Sequence, residues 1–374
     1  MIGRNNPAAP CFTRVYSVPM AERKVVVALS GGVDSSVAAL LLKQSGYDVI
    51  GMHMLLCDSS RSEYQAGQAE YICHLLNIPF DLVDLRKEFE RYVVDYFCQE
   101  YQHGRTPNPC IACNYYIKFG LLLNKALSLG AGRLATGHYV RAEHSNGSYH
   151  LLQALAGTKD QSYFLYTLNQ EKLRYVCFPL GGYTKTEVYH VAKQGGLPTA
   201  TRSSQDICFV AQKSYRSFLS CRCTSVPGDI TDTQGRILGR HQGIAFYTIG
   251  QRHGLGLASG RPLYIVRIDS EHNRVVVGSE DELYSDKVTA RDLSWVVSHP
   301  LPKPIAITAK IRYKSKPASA ILFTKGDSAE IWFSQPQQAV TPGQAVVFYD
   351  GDEIMGGGII QSEGLGETCH SHRP

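Results

Sequence analysis

The sequence predicts an α/β chain in which a parallel-sheet domain is followed by two small β-rich domains. From Lys24 to about Val140, strand-like and helix-like segments alternate, the pattern of a parallel sheet covered on both faces. From about residue 216 helical periodicity fades, and short alternating runs appear between turn signals. At 374 residues the chain is too long for one small core, so two or three domains are expected.

The first 21 residues hold Arg4 and Arg14, no acid and no apolar core for a secretory signal. Residues 1–22 are therefore expected to be a disordered extension, with Met20 a natural alternative beginning. Lys24–Leu29 reads as a buried strand and Val37–Leu42 as the helix after it. Tyr47–Met54, Phe80–Leu85 and Arg133–Val140 are the next expected strands, and Glu63–Leu76 and Lys87–Tyr101 the helices between them. In the second of these helices Phe89, Val93, Tyr96, Phe97 and Tyr101 recur at helical spacing. Ligands of such sheets bind at the carboxyl ends of strands, where the loop at Ser30, Met54 and Gly137-His138 fall. The first domain is expected over 23–215. Ile244–Ile249, Leu263–Ile268, Arg274–Val277, Ile305–Tyr313, Ala320–Phe323, Ala329–Phe333 and Ala345–Tyr349 are the later strands, with hairpin signals at His272-Asn273 and Gly351-Asp352. A seam near Asp281–Asp286 divides them into domains over 216–285 and 286–374, the last ending in a polar tail from Glu363.

The first strand runs straight into Ser30-Gly31-Gly32-Val33-Asp34-Ser35-Ser36. Two glycines let the backbone turn sharply and approach a ligand. Hydroxyls and amides then gather at a helix N-terminus, which accepts an anion. Asp34 is expected at the N-cap, where its carboxylate could also hold a phosphate-bound metal. The plain alternative is a strand–turn–helix corner. The segment has no Gly-Lys-Ser/Thr ending and no third dinucleotide-binding glycine. It resembles the PP-loop (SGGxDS) of the ATP-pyrophosphatase superfamily, which implies cleavage of ATP to AMP and pyrophosphate through an adenylated substrate.

Eleven cysteines make an odd count that does not tile the chain as a disulfide framework. With no secretion signal, a reducing, cytoplasmic compartment is expected, and clustered thiols then point to redox, metal or sulfur chemistry. Cys11, Cys57, Cys73, Cys98 and Cys177 read as packing or incidental. In Gly104-Arg105-Thr106-Pro107-Asn108-Pro109-Cys110-Ile111-Ala112-Cys113-Asn114, two prolines hold an extended loop before a helix. This places Cys113 in a first turn, where the dipole favours the thiolate. Ser203-Ser204-Gln205-Asp206-Ile207-Cys208-Phe209 sets a single thiol between apolar residues. Beside an ATP site, paired thiols can carry a sulfur atom as a persulfide and release it by forming a disulfide.

Together these stretches resemble the tRNA-specific 2-thiouridylase family, colinearly from about Lys24 to about Gln361. The further matching motifs are Ala135-Thr136-Gly137-His138-Tyr139, Lys159-Asp160-Gln161-Ser162 and Tyr247-Thr248-Ile249-Gly250-Gln251-Arg252. The resemblance implies a Rossmann-like PP-loop domain followed by two small β-rich domains, the last a β-barrel. It implies ATP at Ala28, Leu29, Ser30, Gly31, Gly32, Val33, Asp34, Ser35, Met54 and Gly137, with Mg²⁺. Cys113 would be the nucleophile and Cys208 the persulfide carrier, the two pairing as a disulfide after transfer. Asn108, Pro109 and Cys110 would face the target base, and His138, Lys159, Asp160, Gln161, Arg312, Tyr313 and Gln344 would contact tRNA. The implied partners are a tRNA with a wobble uridine and a persulfide-donating sulfur-carrier protein.

The family usually has Asp where this chain has Cys110. A carboxylate able to orient the base or take a proton is replaced by a thiol, giving Cys-x-x-Cys. Cys110, Cys113 and Cys208 are then the minimum thiolate set for a 4Fe–4S cluster with one open iron, so an iron–sulfur-dependent tRNA thiolase stays open, as does a PP-loop ligase for a small metabolite. Lys310, Arg312, Lys314 and Lys316 alternate as if along one strand, either a solvated edge or a phosphate-binding stripe beside Tyr313. Net charge is +5, which permits a nucleic-acid partner without demanding one. No run reaches the ~18 apolar residues of a membrane-spanning helix.

Overall fold

The structure is a computed structural model that describes residues 23–199, 207–210, 215–298 and 304–362. Residues 1–22 and Ser203–Asp206 lie outside the described residues, as does the tail from Glu363.

The valine run of β1 (Lys24–Ala28) is an inner strand whose alternate side chains feed two different cores. Val25 and Val27 join one cluster with the helix α1 (Val33–Gln44), while Val26 and Ala28 join another on the opposite face. That is the signature of a sheet covered on both sides. β2 (Asp48–Leu55), β3 (Phe80–Asp84), β4 (Arg133–Ala135) and, downstream, β7 (Val176–Cys177) complete a parallel sheet of order β3-β2-β1-β4-β7. The order reverses between β1 and β4, so the crevice of this Rossmann-like domain opens there.

The helix α2 spans Ser60–Leu76, three residues earlier than the apolar periodicity suggests, because Ser59 caps it by accepting from Ser62 N. The stretch 86–102 is one winding interrupted by a π-helical turn at Glu90–Val94. The helical run from Pro109 carries a longer π-helical segment, Cys113–Leu122.

Beyond β4 the chain leaves the sheet as a hairpin, β5 (Val140–Ser145) and β6 (Ser148–Gln153). Asn146 and Gly147, both at positive φ, make its turn, a strong hairpin signal that the sequence carries. The helix Lys185–Gln194 follows a capping box between Thr184 and Glu187.

A four-stranded sheet comes next: β8 (Gly228–Asp232), β9 (Ile237–His241), β10 (Tyr264–Asp269) and β11 (Arg274–Gly278), in the order β10-β11-β8-β9. The strand expected at Ile244–Ile249 is instead a 3₁₀ turn at Ile244–Phe246. Its apolar residues fill a core through Ile244 and Tyr247, and a short apolar run cannot by itself report its period.

The last six strands are β12 (Tyr284–Trp295), β13 (Ile305–Lys310), β14 (Ala318–Lys325), β15 (Ser328–Gln338), β16 (Ala345–Asp350) and β17 (Glu353–Ile360). They run β12-β15-β14-β13-β16-β17, and β17 pairs back to β12, closing a barrel. β13 ends at Lys310, so Arg312, Lys314 and Lys316 lie beyond the strand and do not share its face. Lys310 itself is buried.

The first domain and the barrel share a core. β6 pairs with β17 through Leu152 and Glu353. Tyr163 and Tyr166 are buried with Val347, Tyr349 and Ile354, and Tyr163 OH donates to Ala345 O at 2.8 Å. A Cβ at Gly357 would come within 2.8 Å of the Tyr166 ring, so the bare backbone there admits the close approach.

Candidate active site

The Ser30 loop stands at the carboxyl end of β1, in the crevice where the strand order reverses. Gly31 has φ +74, and a Cβ there would meet Gln65 O at 2.7 Å. Gly32, not Asp34, is the N-cap of α1, with no side-chain cap. The first amides of the helix are therefore left without an intrahelical or side-chain cap partner at the carboxyl end of β1. Ser35 and Ser36 turn their hydroxyls back onto Gly32 O, at 3.1 and 2.8 Å. Asp34 sits in the first turn, where its Oδ1 accepts from Lys185 Nζ at 2.6 Å and Tyr139 OH at 2.7 Å. Bare amides, a close-packed glycine corner and a lysine beside the loop form a cradle that suits the phosphates of ATP.

Gly137 closes the cradle from β4. A Cβ on it would lie 2.8 Å from Ser35 N and 2.9 Å from Asp34 C. His138 follows, with Nδ1 2.7 Å from Thr136 Oγ1 and Nε2 3.5 Å from Lys118 Nζ. Burial and the adjacent Lys118 ammonium hold its pKa well below the usual histidine range. Lys118 also donates to Asn114 Oδ1 at 2.9 Å, and Asn114 Nδ2 donates to Phe164 O at 2.9 Å.

The charge of this lysine is felt at three thiols, Cys110, Cys113 and Cys208. The helix begins at Pro109 with Asn108 as N-cap, its side chain accepting from Cys110 N. Cys110 therefore occupies the first turn and is exposed, whereas Cys113 is buried where π-winding starts. The expected first-turn activation of Cys113 does not hold. Burial pushes its thiol up to about 11, with Lys118 opposing. Cys208 lies in an exposed turn anchored by Phe209, whose ring packs edge-on against Phe89 and Phe97 at 5.7 and 5.3 Å. Ile207 and Phe209 pack on the same apolar cluster that contains Cys113. Loss of hydration among the surrounding protein atoms pushes the Cys208 thiol up to about 12, the Cys113 and Cys110 thiols add to this, and Lys118 opposes it. Cys57, read from sequence as incidental, adds to the same field.

All three domains fix the loop before Cys110. Thr106 N donates to Pro342 O at 2.8 Å, and Gln344 Nε2 donates to Thr106 O at 2.7 Å, both from the barrel. Gly104 lies against Ile268 of β10, where a Cβ would approach Cγ2 to 2.5 Å.

Three family models match the chain in series. Residues 23–212 match the tRNA methyl transferase HUP domain, 216–279 the tRNA methyl transferase PRC-barrel domain, and 285–360 the aminomethyltransferase β-barrel domain. The tRNA-specific 2-thiouridylase MnmA of Carboxydothermus hydrogenoformans is 47% identical over 356 residues, covering 91% of this chain and 98% of that protein. The chain belongs to the tRNA-specific 2-thiouridylase family. The MnmA of Acetivibrio thermocellus is 45% identical over 359 residues, covering 91% of this chain and 100% of its own. Among solved structures, the U34-tRNA thiolase NcsA from Methanococcus maripaludis with its [4Fe-4S] cluster aligns at 22% identity and TM-score 0.34, covering 53% of this chain and 63% of that one.

In this 2-thiouridylase family member, several expected tRNA-contact residues are engaged internally. Asp160 is buried and accepts from Ala154 N at 3.1 Å and Ser162 Oγ at 2.7 Å. Gln161 Oε1 accepts from Tyr139 N at 3.0 Å. Arg312 donates to Ala339 O and, at 2.8 Å, to Thr341 Oγ1. Tyr313 packs on Phe164 with ring centroids 4.4 Å apart, and Lys159 stands in a short 3₁₀ turn. Met54 bridges two apolar clusters near the end of β2. Sequence reasoning missed Lys118 and Lys185. The signal for Lys185 was its place just after the capping residue Thr184. Among the described residues, no group of three or more His, Cys, Asp or Glu is arranged to hold a metal ion, so no step is assigned to an iron–sulfur cluster. No helix among them is long and apolar enough to cross a membrane.

Proposed function

We propose that this protein replaces the 2-oxygen of a tRNA wobble uridine by sulfur, driven by cleavage of ATP to AMP and pyrophosphate. One observation supports the reading: contacts lead from the nucleotide cradle to Lys118, a cation whose charge is felt at the three thiols. Gly137 packs on Ser35, His138 follows it and meets Lys118, and Lys118 lies in the field of Cys110, Cys113 and Cys208. A PP-loop ligase for a small metabolite leaves that thiol cluster without a task.

The chemistry follows from what the residues supply. A urea-like C2 carbonyl is a poor electrophile. Its oxygen attacks the α-phosphate, N3 gives up its proton, pyrophosphate leaves, and C2 then carries a good leaving group. The terminal sulfur of a Cys208 persulfide attacks C2, and the oxygen departs with AMP. Cys113 then attacks the Cys208 sulfur. The S–S bond to the base breaks, a Cys113–Cys208 disulfide forms, and the electron pair stays on the sulfur left on C2. N3 regains a proton. The two thiol hydrogens leave as protons, the sulfane sulfur is reduced, and the two cysteines are oxidised. A persulfide-donating carrier protein and a dithiol reductant would reset the pair. Asp34 Oδ2, the oxygen not engaged by Lys185, would meet a Mg²⁺ on the phosphates, which would offset their charge. The base must leave the anticodon stack to reach C2, and Asn108, Pro109 and Cys110 would form the wall it meets.

Replacing Cys113 or Cys208 by Ala should abolish 2-thiouridine formation, read by nucleoside mass spectrometry, while tRNA affinity stays within about threefold. That affinity should fall with rising salt, as phosphate contacts require. Full thiolation in either variant would overturn the assignment.

A further inference from the structure

We propose that Lys118 is the counter-ion for the sulfur anions of this site, holding the charge of the Cys208 persulfide and of Cys113 as sulfur moves to the base. This rests on the sulfur-transfer reading above and assigns that step a residue beyond the two cysteines.

Helix geometry is the first support. In an α-helix, residues five apart point about 140° away from each other. In the π-helical segment Cys113–Leu122 the i→i+5 bonding widens each turn, so Lys118 swings back toward the side of the helix that carries Cys113 instead of pointing away from it. Asn114, four residues before Lys118, lies on that face too. Its amide is fixed by Phe164 O, and its Oδ1 takes one proton of the ammonium at 2.9 Å. π-Winding is rare and concentrates at functional sites, and here it sets Lys118 on the side of a buried thiol whose ionisation its charge favours.

The second support is the company Lys118 keeps. Among the described residues no carboxylate forms an ion pair with it. The neighbouring cation in the crevice, Lys185, is paired with Asp34. Position 110, where the family usually has Asp, is a neutral thiol in this chain. His138 offers no negative charge either. If Lys118 donates to Nε2, the ring proton sits on Nδ1 and points to Thr136, giving a neutral imidazole. A partly buried ammonium with only amide and imidazole partners among the described residues has charge left for an incoming anion. The anion this site generates is sulfur, and a buried thiolate or persulfide is costly without a cation beside it. No bond to Lys118 forms or breaks. It holds charge while the electron pair passes from sulfur to C2 and from Cys113 to Cys208.

Two measurements on the full chain test this. In turnover with unmodified tRNA, ATP and a persulfide donor, Lys118→Met should lower the kcat for 2-thiouridine about 100-fold, with the KM for tRNA within threefold and tRNA-dependent pyrophosphate release retained. Lys118→Arg should recover at least tenfold of the loss, which a merely structural role would not allow. Thiolation within threefold of the parent in Lys118→Met, or an equal fall in pyrophosphate release, overturns the assignment. The second measurement needs no turnover: the ratio of iodoacetate to iodoacetamide labelling at Cys113 and Cys208, at one pH. The ratio cancels thiolate fraction and reads the local positive charge. It should fall about tenfold in Lys118→Met, or in Lys118→Gln if the Met variant does not fold, and return in Lys118→Arg. An unchanged ratio refutes Lys118 as counter-ion. Wild-type protein that releases pyrophosphate but makes no 2-thiouridine would refute the thiolation reading instead, and the labelling ratio would still decide the role of Lys118.

Discussion

Gly137→Ala adds one methyl group at the join between β4 and the nucleotide loop. That carbon would sit 2.8 Å from Ser35 N and 2.9 Å from Asp34 C, whereas heavy atoms pack comfortably at about 3.5–4.0 Å. Both obstacles are backbone, so no side chain can swing aside. One loop must retreat by the better part of an ångström. Overpacking of this kind costs about 1–3 kcal/mol. If the cradle must stay closed to hold phosphates, the strain falls on the bound state, and each 1.4 kcal/mol weakens binding about tenfold. The expected result is ATP-analogue affinity about 10- to 100-fold weaker by calorimetric titration, with the fold retained. The matched control is Gly67→Ala. Gly67 is exposed within α2, and a Cβ there would meet nothing within 4 Å. Ala should stabilise that helix by about 0.5–1 kcal/mol and leave nucleotide binding alone. Affinity within twofold of the parent in Gly137→Ala would refute the reasoning, because the two loops would then not be a rigid pair.

Gly343→Ala strains the opposite wall: Gly343 has φ +87, and a Cβ would lie 2.9 Å from Thr106 N, so thiolation should fall at least about tenfold while ATP-analogue affinity stays within threefold. Unchanged thiolation there would mean that the barrel does not hold the cysteine loop in place. Acid should destabilise the protein through His53 and His241, both buried and both shifted down chiefly by desolvation. The unfolded chain binds protons that the folded chain refuses, so this contribution is complete above about pH 6.5 and is lost as pH falls below it, by up to about 1.4 kcal/mol per unit for each residue. Urea unfolding of the parent and His53→Gln at pH 7.5 and 5.5 checks this, and an equal pH dependence in the two would exclude His53.

The parallel sheet was legible because its strands carry local, strong signals: a valine run at β1, an apolar stretch at β2, and a glycine corner between β1 and α1. Four of the barrel's six strands, β13 to β16, were legible from local alternation, and the barrel itself only through the family resemblance, since closure rests on β12 meeting β17, a pairing that no local pattern encodes. The β5–β6 hairpin had its Asn146-Gly147 turn in plain view, yet its attachment to β17 is a tertiary fact. In the site, residue types pointed to the thiols and the nucleotide loop. They did not point to Lys118, whose place depends on the wider π-winding of Cys113–Leu122, whereas the sequence was read at 3.6. The dipole argument for Cys113 failed for a related reason. Asn108 starts the helix early enough that Cys110 takes the first turn, and burial raises the Cys113 thiol behind it.

The internal bonds of Asp160, Arg312 and Gln344 bear on how such a site would read RNA. A side chain that already satisfies neighbouring backbone in the protein would have to give up those bonds to grip a phosphate, and a buried donor or acceptor left unpaired costs about 1–3 kcal/mol. Gln344 holds Thr106, Asp160 holds the turn before Tyr163, and Arg312 ties the end of β13 to Thr341. Each would therefore serve tRNA best by holding the surface the anticodon would meet, which leaves Lys159 to reach outward, whereas Tyr313 is already flanked by Phe164 and by Lys310, whose Nζ lies 5.9 Å from its ring centroid. The loop bearing Cys110 and Cys113 hangs from that same framework, clamped by the barrel and pressed on the central sheet. A uridine held by those domains would be registered against the thiols by construction, since the parts that would grip the RNA are the parts that hold the cysteines.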